Sequence, residues 1–242
     1  MSSKKQIESL WESLMYNNNK ILAIIPARGG SKRLPRKNIL DLNGKALIAH
    51  TIEAGLNSKY IDKVVVSSDD SEILDISKKY GADTLKRPLE LATDRATTFD
   101  AIKHTIDNFN DYDYIMLLQP TSPLRNENHI DSSIELLDSK NADAVISVCE
   151  MEHSTLWSNS LDETLSMKNF LKDEVLNKRS QDLDKYYRIN GAIYICEKSK
   201  LLENRGFFIK NNIFAYIMDR KYSIDIDEKI DFDMATLLMK KV

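Results

Sequence analysis

The chain has 242 residues, 42% hydrophobic and 29% charged, with a formal net charge of -3. That is the profile of one globular domain with a sizeable core, without a general pull towards nucleic acid or membrane. Its two cysteines, Cys149 and Cys196, have no neighbouring His or Cys, which argues against a disulfide framework, a zinc centre or a catalytic thiol and fits a reducing cytoplasm.

Residues 1–20 predict a short amphipathic extension, with Ile7, Leu10, Trp11 and Leu14 at helical spacing and Asn17-Asn18-Asn19 as the breaker. No continuous apolar run occurs there, so a signal peptide is not expected; nor does any stretch approach the ~20 residues of a spanning helix. ILAIIP (21–26) reads as a strand buried on both faces. The polar loop ARGGSKRLPRKN follows, then a helix over 46–56, the strand KVVVSS (63–68) and a helix over 71–80. A helix over 96–109 leads into the strand YIMLLQ (114–119), and a helix over 127–138 precedes AVISVC (144–149). Strands alternating with helices in this way predict an α/β fold, a mostly parallel sheet covered by helices on both faces. From Glu150 to Arg188 the rhythm breaks into a polar, uneven stretch. It reads as an excursion from the sheet, suited to an arm that reaches another subunit. GAIYIC (191–196) and IFAYIMD (213–219) resume the sheet, and an amphipathic helix over 228–240 ends it.

In a parallel sheet, ligands gather at the carboxyl ends of strands, so the loop after the first strand is the first candidate site. Gly29 and Gly30 permit close backbone approach with N–H groups turned inward. Around them stand Arg28, Lys32, Arg33, Arg36 and Lys37, with Ser31 and Asn38 as polar contacts. A solvated basic turn is the plain alternative. Placed directly after a buried first strand, the cluster is better read as a receptor for several negative charges, such as a nucleoside triphosphate. The spacing matches neither G-x-G-x-x-G nor the P-loop.

SIDID (223–227) sets Asp225 and Asp227 two residues apart. In an extended chain both point to one side, roughly 6.6 Å apart, and two hard oxygen ligands can share magnesium with a triphosphate. Asp227 equally suits the N-cap of the last helix, with Asp225 solvated.

Taken together, IIPARGGSKRLPRKN, VVVSSDD, RPLELATDRATT, LLQPTSPLR, RINGAIYI and AYIMDRKYSIDID resemble the CMP-sialic acid synthetases (acylneuraminate cytidylyltransferases), from Ile21 to the last helix. The resemblance implies a nucleotide-diphospho-sugar transferase-like fold, a homodimer with a swapped arm over about 150–190, and transfer of CMP from CTP to an acidic nine-carbon sugar. By the same resemblance Arg28, Gly29, Ser31 and Lys37 hold the triphosphate and Asn38 the nucleoside. Arg87 and the 91–98 segment, Ala96 and Thr98 included, line the cytidine pocket. Gln119, Thr121, Asn190, Tyr194, Phe207 and Phe208 meet the sugar, Arg179 comes from the arm, and Asp225 and Asp227 bind Mg2+. Arg28, Lys37 and the two aspartates are the expected catalytic set. Legionaminic, pseudaminic or Kdo acid is the alternative sugar, and a non-catalytic nucleotide-binding regulator the alternative class. Arg33 stands where most relatives have glycine, RSQDLD (179–184) replaces RRQDLP, and Trp157 lies near a sugar-binding lysine of some members. None of the histidines is assigned as a general base.

Overall fold

A computed structural model describes residues 19–240 apart from 94; the extension expected over 1–20 lies almost wholly outside the described residues. In chain order the elements are β1 (Ile21–Pro26), β2 (Asp41–Leu42), β3 (Lys45–Ala46), α1 (Leu47–Leu56), β4 (Lys63–Ser68), α2 (Ser71–Lys79), β5 (Asp83–Lys86), α3 (Thr98–Asn108), β6 (Tyr114–Leu118), α4 (Glu127–Ser139), β7 (Ala144–Glu150), β8 (Tyr187–Glu197), α5 (Lys198–Asn204), β9 (Ile213–Ile217) and α6 (Lys229–Met239). The main sheet has 7 strands in the order β5-β4-β1-β6-β8-β7-β9. All pairs are parallel except those of β8, which runs antiparallel to β6 and β7.

β1 sits inside the sheet, and its apolar run divides between two cores with the period of a strand. Ile21, Ala23 and Ile25 join Ile48 and Ile52 of α1 and Ile130, Ile134 and Leu137 of α4. Leu22 and Ile24 face the other way, onto Ile102 and Ile106 of α3 and Leu201 of α5. Helices therefore cover both faces, as the alternation of elements predicts. A third cluster joins Leu42 and Leu47 to Ile226 and Ala235, which ties α6 and the strand-like segment before it to the short β2–β3 hairpin.

The break after β7 holds. Residues 151–186 contain single 3-10 turns and no longer element. Val175 is buried, Trp157 and Phe170 are half-buried, and Leu161, Leu165, Met167 and Leu176 are exposed. β8 begins four residues before the expected 191, because a bulge between Ile146 and Val148 shifts its register on β7 and lets pairing continue to Glu150↔Tyr187.

Candidate active site

The loop after β1 lies against β4 and the start of α2. The amide of Gly29 donates to Asp69 Oδ1 at 3.1 Å and not into open space. A Cβ on Gly29 would stand 2.7 Å from Asp70 Oδ2, so only glycine fits this approach. Asp70 caps α2, accepting from the amides of Glu72 and Ile73. It also pairs with Arg36, which reaches Glu72 as well. Arg36 is held at φ 57 and faces α2. The basic cluster thus divides: Arg36 fastens the loop to the helix, while Arg28, Lys32, Arg33 and Lys37 line a cleft of about 580 Å³ at the carboxyl edge of the sheet.

Ser31 and Asn38 share that lining. Asn38 is buried; its amide donates to the Arg28 carbonyl at 3.1 Å and its Oδ1 is buried without a partner, leaving an acceptor for a ligand. Arg87, 6% exposed, donates to the Ser67 carbonyl at 3.3 Å and keeps a buried, unpartnered Nε. Burial lowers its pKa, Asp69 nearby opposes that, and Arg28 adds to it. Across the cleft, Ala96, Thr97 and Thr98 form the wall where α3 begins. Thr97 and Asp100 make a capping box, so the wall is rigid where the cytidine pocket is expected.

Of the expected metal pair, Asp227 lines the third side of the cleft, and Asp225 lies beside Gln119 and Thr121. Ile226 between the two aspartates is fully buried, and its amide donates to the Thr121 carbonyl at 2.8 Å. The alternation places Asp225 and Asp227 on the opposite side from Ile226. The capping alternative for Asp227 does not hold. Asp231 accepts from the amides of Asp227 and Glu228 at 3.0 and 2.8 Å, and Glu228 is the N-cap. The Asp227 carboxylate instead meets Lys37 Nζ at 3.2 Å and Arg33 Nη2 at 2.7 Å. Lys37 also donates to the Ile226 carbonyl at 2.6 Å. Asp225 keeps Oδ1 buried and unpartnered. Burial raises its pKa, a bond from Thr121 counters this, and the charge of Asp227 adds to it.

Gln119 and Thr121 line the same cleft. The Gly191 backbone, at φ 78, comes close enough that a Cβ would be 3.5 Å from both Asp225 Oδ2 and Gln119 Oε1. Tyr194 lies near Asp225, whose charge adds to burial in raising the phenol's pKa. Its ring meets Phe207 at 5.7 Å and Phe208 at 6.4 Å between centroids. Asn190 is placed differently. It is buried, accepts from Ser147 at 2.6 Å and from the Ala192 amide at 3.2 Å, and donates to Ser223 at 2.9 Å. It ties β7 and β8 to the turn before Asp225 and, like Tyr194, Phe207 and Phe208, is not among the residues that line the cleft. Arg179 is on the exposed segment, paired with Asp182 at 2.9 and 3.1 Å, away from the cleft of its own chain.

Two features of the site carried no role in the sequence reading. Asp69 and Asp70 stand within a quoted stretch, and a carboxylate just ahead of α2 is a cap signal. Arg125, 1% exposed, donates to Thr51 at 2.8 Å and the Gln119 carbonyl at 3.4 Å; an isolated arginine in a loop gives no sequence signal of that role.

A mostly parallel sheet with helices on both faces and its cleft at the carboxyl edge is an α/β fold of the nucleotide-diphospho-sugar transferase type. The chain belongs to the cytidylyltransferase family, whose profile matches residues 22–239. It is similar to the N-acylneuraminate cytidylyltransferase of Escherichia coli, 41% identical over 92% of this chain and 52% of that protein. It is likewise similar to the CMP-N,N'-diacetyllegionaminic acid synthase of Legionella pneumophila, 37% identical over 91% of this chain and 97% of that one. The chain spans about half the length of the N-acylneuraminate cytidylyltransferases it matches. The solved CMP:2-keto-3-deoxy-manno-octonic acid synthetase, in complex with CTP, shares the fold. Its TM-score is 0.69 at 18% identity, over 92% of this chain and 99% of that one.

Proposed function

We propose that this chain transfers CMP from CTP to the anomeric hydroxyl of a nonulosonic acid of the sialic type, releasing pyrophosphate, with Mg2+ held by Asp225 and Asp227. The observation that carries the reading is one cleft bounded by three unlike walls. These are a cationic loop, the capped start of α3, and Asp227 with Gln119 and Thr121, beside which Asp225 lies.

The donor set fits magnesium. Asp225 has a buried oxygen without a partner, and Asp227 is not spent on the helix cap. Among the described residues no group of three or more His, Cys, Asp or Glu could hold a metal. Magnesium asks for less, since it commonly takes one or two carboxylates and completes its shell with waters and substrate phosphates. Bound there, it would neutralise charge on the leaving pyrophosphate and acidify the attacking hydroxyl.

Transfer at phosphorus depends on positioning and charge compensation, not on covalent help. Arg28, Ser31 and Lys37 hold the phosphates. Lys37 is fixed by the Ile226 carbonyl, so its charge stays at the cleft whether or not Asp227 keeps it as a partner. Asn38 and Arg87 offer the nucleoside a buried acceptor and a buried donor. The acceptor sugar brings a carboxylate to a polyanion. Two like charges about 4 Å apart cost about 4 kcal/mol at an effective dielectric of 20, and the basic loop and Arg179 of a second copy offset that. Gln119, Thr121, Tyr194 and Phe208 receive the sugar, with Phe207 packed behind them and Asn190 positioning the turn that carries Asp225.

The homodimer is part of this reading. It is supported by Leu161, Leu165 and Met167 on the 151–186 segment and by Ile230, Met234 and Leu237 on α6, all exposed, which a second copy would cover. A cytoplasmic location is supported by Cys149 and Cys196, both free and buried. Among the described residues no helix is long and apolar enough to cross a membrane. The legionaminic sugar is the second reading, since that synthase is similar to the chain over nearly its own full length.

Pyrophosphate release is the test, with CTP, UTP, ATP or GTP and a panel of acidic sugars. CTP with a sialic or legionaminic acid should support turnover well above the other nucleotides. Equal rates with all four would mean that the base is not read by Asn38, Arg87 and the 91–98 wall.

A further inference from the structure

Both oxygens of Asp227 are taken by cations of the phosphate loop. Oδ1 is met by Lys37 at 3.2 Å and Oδ2 by Arg33 at 2.7 Å. Each oxygen keeps a second acceptor site, but a divalent ion bound there would stand against cations already on that carboxylate, and the like charges repel, so metal at Asp227 competes with them. The two loop cations are not equally placed to leave. The Lys37 side chain is 12% exposed and has a second anchor, the Ile226 carbonyl, that does not depend on a carboxylate. The Arg33 side chain is 62% exposed and sits at the rim, held by Asp227 and, at 4.0 Å, by Glu228. An exposed pair of this kind is weak. A triphosphate in the same cleft offers the planar guanidinium bidentate oxygen pairs of higher charge.

We propose that Arg33 gates the metal site: it occupies Asp227 while the cleft lacks nucleotide and moves to the triphosphate when nucleotide and metal arrive together. The inference rests on the reading of Asp225 and Asp227 as the metal pair. It adds an order of loading. Metal alone competes with a guanidinium for Asp227, whereas the nucleotide–metal complex supplies Arg33 with a new partner in the step that frees the carboxylate. Arg36, three residues after Arg33 on the same loop, is the internal contrast. Its partners are Asp70, the cap of α2, and Glu72 in that helix's first turn, so it latches the loop and leaves the metal pair untouched.

The test needs no turnover. Mn2+ binding to the full chain is measured from the electron paramagnetic resonance of the free ion, with and without a non-hydrolysable CTP analogue. Without nucleotide, Arg33→Gln should bind Mn2+ about two- to fivefold more tightly than the unaltered chain, the scale of an exposed ion pair. With the analogue that gain should vanish or reverse. Arg36→Gln removes the same charge from the same loop and should show no gain. Equal Mn2+ affinity for Arg33→Gln and the unaltered chain, or an equal gain in Arg36→Gln, overturns the gate while leaving the metal pair standing. Mn2+ binding unchanged in both Asp225→Asn and Asp227→Asn would remove the metal reading itself, and the gate with it.

Discussion

Asp225 stands beside Thr121, Gly191 and Tyr194 with one buried oxygen unpartnered, so its charged form costs the metal-free fold free energy. Its pKa is raised, chiefly by burial, so the folded chain binds this proton more tightly than the unfolded one. Stability contributed by this residue therefore falls as pH rises from the ordinary carboxylate range through the raised value, and the cost is complete above both. Asp225→Asn removes that cost. At neutral pH without divalent metal, the melting temperature should rise by up to about 3 °C, the scale of a ~1 kcal/mol change in a chain of this size. Turnover should fall at least about a hundredfold in Asp225→Asn and in Asp227→Asn, because the metal's charge stabilisation is lost. Thermal unfolding and steady-state rates on the same preparations check both. Full activity in either variant would contradict the metal assignment.

The phosphate loop works as an element because α2 holds it from behind. Gly29 touches Asp70, and Asp70 at once caps the helix and pairs with Arg36. Gly29→Ala would push a methyl group against that carboxylate, an overpacking that costs roughly 1–3 kcal/mol. The loop must shift to relieve it. The KM for CTP should rise at least about tenfold, with a smaller change in kcat; an unchanged KM would mean that the loop's position is not what binds the triphosphate. The basic character of this loop was legible in the sequence, as were β1, β4, β6 and β7, because their apolar runs are bounded by polar breaks. Which way each cation faces was not legible, since Arg36 and Arg33 look alike until α2 and Asp227 are in place. β5 was missed because DTLK is an edge strand with its ends exposed and shows no apolar alternation. The β2–β3 hairpin had a signal in Asn43-Gly44, both at positive φ, the pair favoured in two-residue turns. α5 is one short helix of 7 residues, below the length at which periodicity speaks. Local spacing left Asp225 and Asp227 balanced between metal and cap; the resemblance implied metal, and Asp231, by serving the amides at the start of α6, takes the cap role from Asp227.

At the scale of the whole molecule, the exposed 151–186 segment and the open apolar face of α6 call for a covering surface. A second copy would supply one and bring Arg179 to a neighbouring cleft, where it would exchange Asp182 for the sugar's carboxylate or the phosphates. Sedimentation should give a dimer. Mixing Arg179→Ala with Asp225→Asn, each inactive alone, should restore activity, because a mixed dimer regains one site with both residues intact. No recovery from subunits shown to exchange would confine Arg179 to its own chain's site, or to none. The central claim, however, is the reaction itself. Phosphorus-31 magnetic resonance of the chain with CTP, Mg2+ and N-acetylneuraminic or N,N'-diacetyllegionaminic acid follows it atom by atom. One phosphodiester signal of a CMP-sugar should appear for each pyrophosphate released, and neither should appear without the sugar. Pyrophosphate formed together with free CMP at the same rate with or without the sugar, or CTP left intact with every acid offered, would contradict the account.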